Sequence, residues 1–235
     1  MYWNHILANL LVDPLAMTVF QVGIVGAWLG MVFGGAALAH LWRWDGELVR
    51  KIVHIGVGNV VVLAWWLQLP QWLCTAAGLL FTGLALVAQF VPILPMIDNV
   101  KRKTYGVFYY ALSITILVTL FWGIGQPIYA AIGVMVMTWG DGMAALVGQN
   151  LGRHIYTVMG KRRSWEGSLT MVGVSYLCML LLLALGHAPT DGAIMTKVTG
   201  LAIVAAILEA VSPGGLDNLV VPLAVAGLSY LWLGF

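Results

Sequence analysis

The sequence contains very little charge. Only 9% of its 235 residues are charged, whereas 61% are hydrophobic, and a soluble domain carries about 25% charged residues. Because so few charges cannot cover a water-facing surface, we expect lipid to be the main solvent of this chain. The net charge of +2 is too small to indicate a nucleic-acid partner.

Several kinds of motif are also missing. The two cysteines lie inside apolar runs, so we interpret them as small buried hydrophobes rather than as a disulfide or a metal pair. Residues 1–13 contain no Lys or Arg, and we therefore expect no secretory signal. There is no P-loop, protein-kinase motif set, nucleophile elbow or Cys/His metal cluster. No repeat or linker divides the chain, which predicts one integral membrane domain over residues 1–235.

Long apolar runs make up most of the sequence. A membrane-spanning helix needs about 20 largely apolar residues, and the candidate runs cover residues 14–41, 52–69, 71–91, 105–122, 127–150, 167–186, 194–211 and 218–234. The last two are short, so seven or six spans are alternatives to eight. The sequence thus predicts an all-α, polytopic transmembrane bundle of about seven to eight spans.

The basic residues are concentrated on one face of this predicted bundle. Ten of the eleven Lys and Arg residues fall in the first, third and fifth connections, and Lys197 is the exception. Positive charge in short loops stays cytoplasmic, so both termini should face outward if the span count is even. Seven of the nine acidic residues lie on or near the same face. Topology does not require these acids, whereas a site for a metal-bound phosphate ligand does.

Residues 139–152 combine one acid with small residues. Asp141, Ala145, Gly148 and Gly152 recur at helical spacing and form one stripe. Small residues admit either another helix or a phosphate, so packing and nucleotide binding both remain open for the glycines. Asp141 lies roughly 14 Å in from the expected helix end, and a carboxylate at that depth is by default functional.

A basic run precedes the next predicted helix. Lys161, Arg162 and Arg163 come before Ser164, a plausible N-cap, and Glu166 follows in the first helical turn. Basic side chains beside a helix N-terminus suit a polyphosphate. The same cluster would also serve simply to fix membrane topology.

Two more segments on this face carry polar candidates. One loop places Asp98 close to Lys101 and Lys103. His54 lies one helical turn from Arg50, at the cytoplasmic end of the second run. A lone histidine in a membrane helix is either a packed, hydrogen-bonded residue or a proton acceptor.

A turn near the carboxyl end is flanked by two acids. The sequence Ser-Pro-Gly-Gly at 212–215 is typical of a turn. Glu209 and Asp217 flank it and are possible partners of a metal or a hydroxyl group. Asp217 could equally be the N-cap of the last helix.

In order, these segments resemble the CTP-dependent polyprenol kinase family, which includes dolichol kinase and phytol kinase, and above all its short cyanobacterial and plastid phytol kinase branch. The motifs that carry the resemblance, between about residues 50 and 218, are Arg50-Lys51 with His54, Lys103–Gly106, Gly140–Gly148 with Gly152, Lys161–Ser168 and Glu209–Asn218. One departure is Arg162-Arg163-Ser164-Trp165, where the family often has Lys-Lys-Thr or Lys-Thr before Glu-Gly.

The resemblance implies a multi-pass enzyme that transfers the γ-phosphate of CTP to an isoprenoid alcohol such as phytol, with Mg²⁺ as cofactor. We expect Asp141 to hold the metal, together with Asp217 or Asp98, and Glu166 to order the basic loop or assist the metal. The residues expected to bind the nucleotide are Lys161, Arg162, Arg163, Gly148, Gly152, Lys101 and Lys103. The base for the hydroxyl proton is either Asp98 or His54.

Three functional classes remain open at this level. The first is a lipid-alcohol kinase of the cell or thylakoid membrane with its active site on the cytoplasmic face. The second is a cytidylyltransferase that makes a CDP-lipid, since the related CDP-diacylglycerol synthases share the motif layout. A transporter is the third, but it would place polar residues in both halves of the membrane, and the outer halves here are almost without charge.

Overall fold

The computed structural model of the protein describes residues 13–90, 105–188 and 190–234. Within these ranges the chain forms a helical bundle with one short β-hairpin. The helices are α1 (Pro14–Leu41), α2 (Gly46–Trp66), α3 (Gln71–Val87), α4 (Gly106–Gly123), α5 (Pro127–Met135), a π-helical segment (Val136–Asp141), α6 (Gly142–Leu151), α7 (Trp165–Leu185), α8 (Gly192–Val211) and α9 (Asp217–Leu233). The hairpin, β1 (Ile155–Val158) and β2 (Lys161–Ser164), lies between α6 and α7.

Each predicted apolar run corresponds to one described helical stretch. α5, the π-helical segment and α6 together form the single stretch that matches the run 127–150. Within the described residues, six helical stretches are long and apolar enough to cross a membrane, and one of them is the continuous stretch Pro127–Leu151. α3 and α9 have 17 residues each, which gives about 25 Å of helix against roughly 30 Å of hydrocarbon. The predicted all-α polytopic bundle is therefore confirmed.

Two details of the prediction were wrong. The seventh run was expected to be short, but α8 has 20 residues, because Asp191 caps it by accepting a hydrogen bond from Ile194 N at 2.9 Å. The segment around the basic run was expected to be a loop, but it forms an antiparallel hairpin that pairs Val158 with Lys161. The two turn residues, Met159 and Gly160, both have positive φ angles, as a two-residue hairpin turn requires.

The core of the bundle is built around α5. Every residue from Ile128 to Met135 is buried, and α5 packs against α2, α4, α7 and α9. Helices in lipid gain stability mainly from close van der Waals packing, which small residues permit. Gly133 is such a residue, since a Cβ there would lie 2.8 Å from the Ala226 Cβ and would also meet the Pro222 carbonyl.

The outer surface of the bundle is apolar. Large side chains such as Leu79, Leu181 and Leu231 are 61%, 59% and 73% exposed. α1 packs mainly on α2, and α3 mainly on α4, so these two helices are peripheral. An apolar exterior around a closely packed core is the arrangement expected of a bundle whose solvent is lipid.

The Gly133 contact yields a stability prediction. We expect Gly133→Val to lower the free energy of unfolding by about 2 kcal/mol, because overpacking forces α5 and α9 apart. Gly173→Val is the matched control, since it is also inside a helix and a Cβ there would meet nothing within 4 Å. Thermal unfolding in detergent measures the difference, and equal losses for both variants would contradict the packing at Gly133.

Candidate active site

Three carboxylates from different helices meet at one end of the bundle. Asp141 ends the π-helical segment, Glu209 lies near the end of α8 and Asp217 is the first residue of α9. One oxygen of each lies within 4.8 Å of the other two. In sequence, Asp141 lies 68 positions before Glu209 and 76 positions before Asp217, whereas the last two acids flank one turn. Tertiary folding alone therefore brings Asp141 to the other two.

The π-helical segment determines where Asp141 points. π-Helical turns are rare and occur mostly at functional sites, because the wider turn changes the direction of the following side chains. Two hydrogen bonds hold this turn against its neighbours: Thr138 Oγ1 lies 2.6 Å from the Tyr110 hydroxyl, and Trp139 Nε1 donates to Asn59 Oδ1 at 3.0 Å. Tyr110 lies on α4 and Asn59 lies on α2, the helices that flank the π-helical segment.

Lys51 forms an ion pair with the central acid. Its Nζ donates to Asp141 Oδ2 at 2.6 Å, and the two side chains are only 7% and 13% exposed. A charge in such surroundings needs a partner, because desolvation of an isolated charge is very costly. In the sequence, Lys51 belongs to a motif of the family resemblance and carries no predicted site role. The signal for such a role is the helical spacing of Lys51, His54 and Gly58 on one face of α2.

The hairpin directs two of its three basic residues toward the acids. Lys161 Nζ donates to the Ser212 carbonyl at 2.7 Å, and Arg163 Nη1 lies 2.6 Å from Glu209 Oε1. Side chains alternate along a strand, so Arg162, which is exposed between them, points to the other face. The three basic residues therefore do not form one cluster, although all three lie at the same end of the bundle.

Arg163 also retains an unused donor. Its Nη2 donates to the Glu209 carbonyl at 3.0 Å, which ties β2 to the end of α8. Its Nε is buried and has no hydrogen-bond partner among the described residues. Buried polar groups are nearly always satisfied, so an orphan donor beside three carboxylates is consistent with an anionic ligand.

Glu166 holds the base of the hairpin. It accepts hydrogen bonds from the His154 backbone N at 3.2 Å and lies 2.7 Å from His154 Nδ1. Ser164 caps α7 as predicted, since its Oγ accepts from Gly167 N at 3.1 Å. These contacts tie the start of α7 to the residue before β1, and the ordering of the basic segment or assistance to the metal by Glu166 stays a prediction. In the described residues it does not belong to the carboxylate group that could hold a metal ion.

The two glycines of the stripe lie against the start of α7. A Cβ on Gly148 would be 3.2 Å from Ser164 Oγ, and a Cβ on Gly152 would be 2.8 Å from the same atom. Gly167 lies on the other side of this contact, where its own Cβ would be 3.4 Å from the Gly148 Cα. Close packing of α6 on α7 therefore accounts for both glycines. Nucleotide binding by Gly148 and Gly152 stays a prediction.

His54 is packed behind the ion pair. Its ring centroid lies 4.2 Å from that of Tyr110, and its Nε2 is buried without a hydrogen-bond partner in the described part of the chain. The remaining predicted site residues, Asp98, Lys101 and Lys103, lie outside the described residues. Of the two candidate bases, the structure thus places only His54.

The carboxylates have the chemistry of a divalent-cation site. Mg²⁺ prefers carboxylate oxygens combined with substrate phosphates and water, and Asp141, Glu209 and Asp217 offer such oxygens within 4.8 Å of one another. The ammonium group of Lys51 and the guanidinium group of Arg163 are each paired with one of these acids. Glu209, which the sequence offered as a possible metal or hydroxyl partner, therefore lies with Asp141 and Asp217 in one group.

Comparison with known proteins identifies the family. The chain is 47% identical over 229 residues to the phytol kinase of Synechocystis sp., and the alignment covers 94% of this chain and 97% of that protein. The chain belongs to the polyprenol kinase family. It is also 28% identical over 210 residues to the chloroplastic farnesol kinase of Arabidopsis thaliana, with 80% of this chain and 66% of that protein covered. For the chloroplastic phytol kinase 1 of the same plant, the identity is 28% over 233 residues, covering 91% and 76%.

No family model matches the chain, and no solved structure gives a significant match. Membership of the polyprenol kinase family nevertheless makes this protein a kinase. The cytidylyltransferase and the transporter, which the sequence had left open, receive no support from these comparisons.

The Lys51–Asp141 pair yields a second prediction. Lys51→Met should cost about 3 to 5 kcal/mol of stability, because removing one partner of a buried pair leaves the other charge uncompensated. Here it would leave three carboxylates facing one another. Lys197→Met is the control, since Lys197 is exposed and its Nζ donates to the Trp232 carbonyl. Unfolding temperatures in detergent without divalent cations compare the two, and a Lys51 variant as stable as the control would refute the pairing.

Proposed function

We propose that this protein is a membrane-embedded kinase that transfers the γ-phosphate of CTP to the hydroxyl group of an isoprenoid alcohol, with Mg²⁺ held by the acidic cluster. The single observation that carries the proposal is the meeting of three carboxylates with Lys51 and Arg163 at one end of an apolar helical bundle. The relatives named phytol kinase and farnesol kinase support an isoprenoid alcohol as the acceptor.

The position of the cluster supports a reaction between a water-soluble and a lipid-dissolved substrate. Asp141 lies ten residues before the end of α6, which places it about 15 Å along the helix from that end. The hairpin, with its basic residues, lies on the water side of the acids. A nucleotide entering from water and an alcohol arriving through the bilayer would meet between the hairpin and the acids. The excess of basic residues at this end supports a cytoplasmic location.

Phosphoryl transfer depends mainly on positioning and on charge neutralisation. In the proposed reaction the alcohol oxygen attacks the γ-phosphorus, a new oxygen–phosphorus bond forms and the bond to the β,γ-bridging oxygen breaks. CDP leaves with that bond's electrons, and the hydroxyl proton passes to His54 or Asp98. When bound, Mg²⁺ would neutralise phosphate charge. Lys161 and Arg163 would bind the phosphates, and Lys51 would orient Asp141.

The decisive experiment supplies membranes containing the protein with γ-labelled CTP and one of phytol, farnesol, geranylgeraniol or phosphatidic acid. We expect the label in a prenyl monophosphate. Label released as pyrophosphate in the presence of phosphatidic acid would instead identify a cytidylyltransferase. Parallel reactions with labelled ATP test whether CTP is the preferred donor, and transfer from ATP alone would overturn that part of the proposal.

The acidic cluster predicts the behaviour of Asp141→Asn. We expect this variant to lose at least about 99% of its activity, since electrostatic stabilisation of the transferred group is the main term in such reactions. It should still insert into the membrane, and it should no longer be stabilised against heat by Mn²⁺ or Mg²⁺ as the parent protein is. Substantial residual turnover, or undiminished stabilisation by the metal ions, would contradict the metal assignment.

The alternation along β2 predicts unequal roles for its basic residues. Lys161→Ala should raise the KM for the nucleotide about tenfold, whereas Arg162→Ala should change it by less than about twofold. The reason is that Lys161 lies on the face of the hairpin that meets the acids and Arg162 does not. Steady-state kinetics at a saturating alcohol concentration measure both values. An equal effect of the two substitutions would show that the hairpin presents both faces to the nucleotide.

A further inference from the structure

A cleft opens between α1, α2 and the end of α7, away from the acidic cluster along the bundle. Its volume is about 420 Å³, and its walls include Trp28, Asn59, Leu63, Trp66, Gln68 and Leu185. This volume lies within the roughly 300–1,000 Å³ range of small-molecule sites. We call it the tryptophan cleft. Of these wall residues, only Asn59 was described with the site above, as the acceptor of the Trp139 hydrogen bond.

Hydrogen bonds hold α1 against α2 at both ends of the cleft. Trp28 Nε1 donates to the Gly56 carbonyl at 2.7 Å, and Gln21 Nε2 donates to the Leu67 carbonyl at 2.7 Å. Next to the first of these, Val32 contacts Gly56 so closely that a Cβ on that glycine would clash with it. The two helices therefore touch at the level of Gly56 and leave the cleft between that contact and the end of α2.

A hydrogen bond ties one wall of the tryptophan cleft to the segment that carries Asp141. Asn59, which lines the cleft, accepts a hydrogen bond from Trp139 at 3.0 Å, and Trp139 lies two residues before Asp141. On α2 itself, the helix carries Lys51 at the acidic end and Trp66 at the other. The axial distance between those two residues is about 22 Å. A ligand that reaches from the acids into the cleft would thus be long and narrow.

The chemistry of the walls selects the kind of ligand. Tryptophan, leucine and valine side chains form most of the surface, and the two polar wall residues lie apart in sequence, Asn59 on α2 and Gln68 just beyond its end. Such walls suit a hydrocarbon chain and offer no site for a charged group. An extended chain with one hydroxyl group at the acidic end has the required length and polarity.

We infer, on the basis of the proposed function, that the tryptophan cleft binds the hydrocarbon tail of the isoprenoid alcohol. The hydroxyl group then lies at the acids and the far end of the tail lies between Leu63, Trp66 and Leu185. Alcohols with long tails fill the cleft, and short ones leave its outer part empty. The cleft therefore sets the preference of the enzyme for tail length.

A substitution inside the cleft tests this assignment. Leu63→Trp should lower kcat/KM for phytol at least about tenfold and leave that for geraniol within about twofold, because a hydrophobic pocket discriminates by the volume that it offers. Leu79→Trp is the matched control, since Leu79 is 61% exposed on the peripheral helix α3. An equal loss for both alcohols, or the same loss in the control, would overturn the assignment.

A second measurement does not depend on turnover. A prenyl alcohol with a photoreactive group near the tail end should label peptides of α1, α2 and α7 that line the cleft, and excess phytol should suppress the labelling. Labelling at other helices, or labelling that phosphatidylglycerol suppresses and phytol does not, would overturn the assignment in favour of a bilayer-lipid site or none. Labelling in the cleft without phosphorylation of any alcohol would support the cleft and refute the proposed function.

Discussion

The burial of three carboxylates inside an apolar bundle is the constraint on which the rest of the site depends. Such charges are stable only beside opposite charges and hydrogen-bond donors, and each acid of the cluster is supported from a different part of the fold. Lys51 of α2 pairs with Asp141, Arg163 of β2 pairs with Glu209, and the backbone N–H of Asn218 donates to Asp217. Electrostatics therefore couples the positions of α2, the hairpin, α8 and α9.

The helical scaffold holds these charged groups together at one place. The central span is almost wholly buried, and its π-helical turn is held by Tyr110 and Asn59 on neighbouring helices. The central span presents Asp141, while the hairpin adds Lys161 and Arg163 at the same end of the bundle. The peripheral helices α1 and α3 contribute little to this core. α1 instead forms a wall of the tryptophan cleft, so the polar chemistry and the binding of a tail are assigned to different layers of the molecule.

Much of this organisation was predictable from the sequence, because lipid imposes simple rules on a chain. The apolar runs gave every described helical stretch, and the sidedness of the basic residues gathered the candidate residues at one end. Asp141, Asp217 and the basic run were named as site candidates from depth, charge and the family resemblance, and the structure places Asp141, Asp217, Lys161 and Arg163 at one end of the bundle. The role of Glu209 was seen as a possibility and that of Lys51 was not assigned, because a lysine near a helix end is indistinguishable in sequence from one that fixes topology.

By itself, then, the sequence determined the class of fold, the polar end of the bundle and the family resemblance, since these follow from hydropathy, charge and local motifs. Tertiary structure decided which charges meet. It paired Lys51 with an aspartate ninety positions away, turned Arg162 from the face that Lys161 and Arg163 share, and packed Gly148 against α7. Ion pairing, strand alternation and cleft shape depend on how helices and strands are placed against one another, and no local pattern encodes that placement.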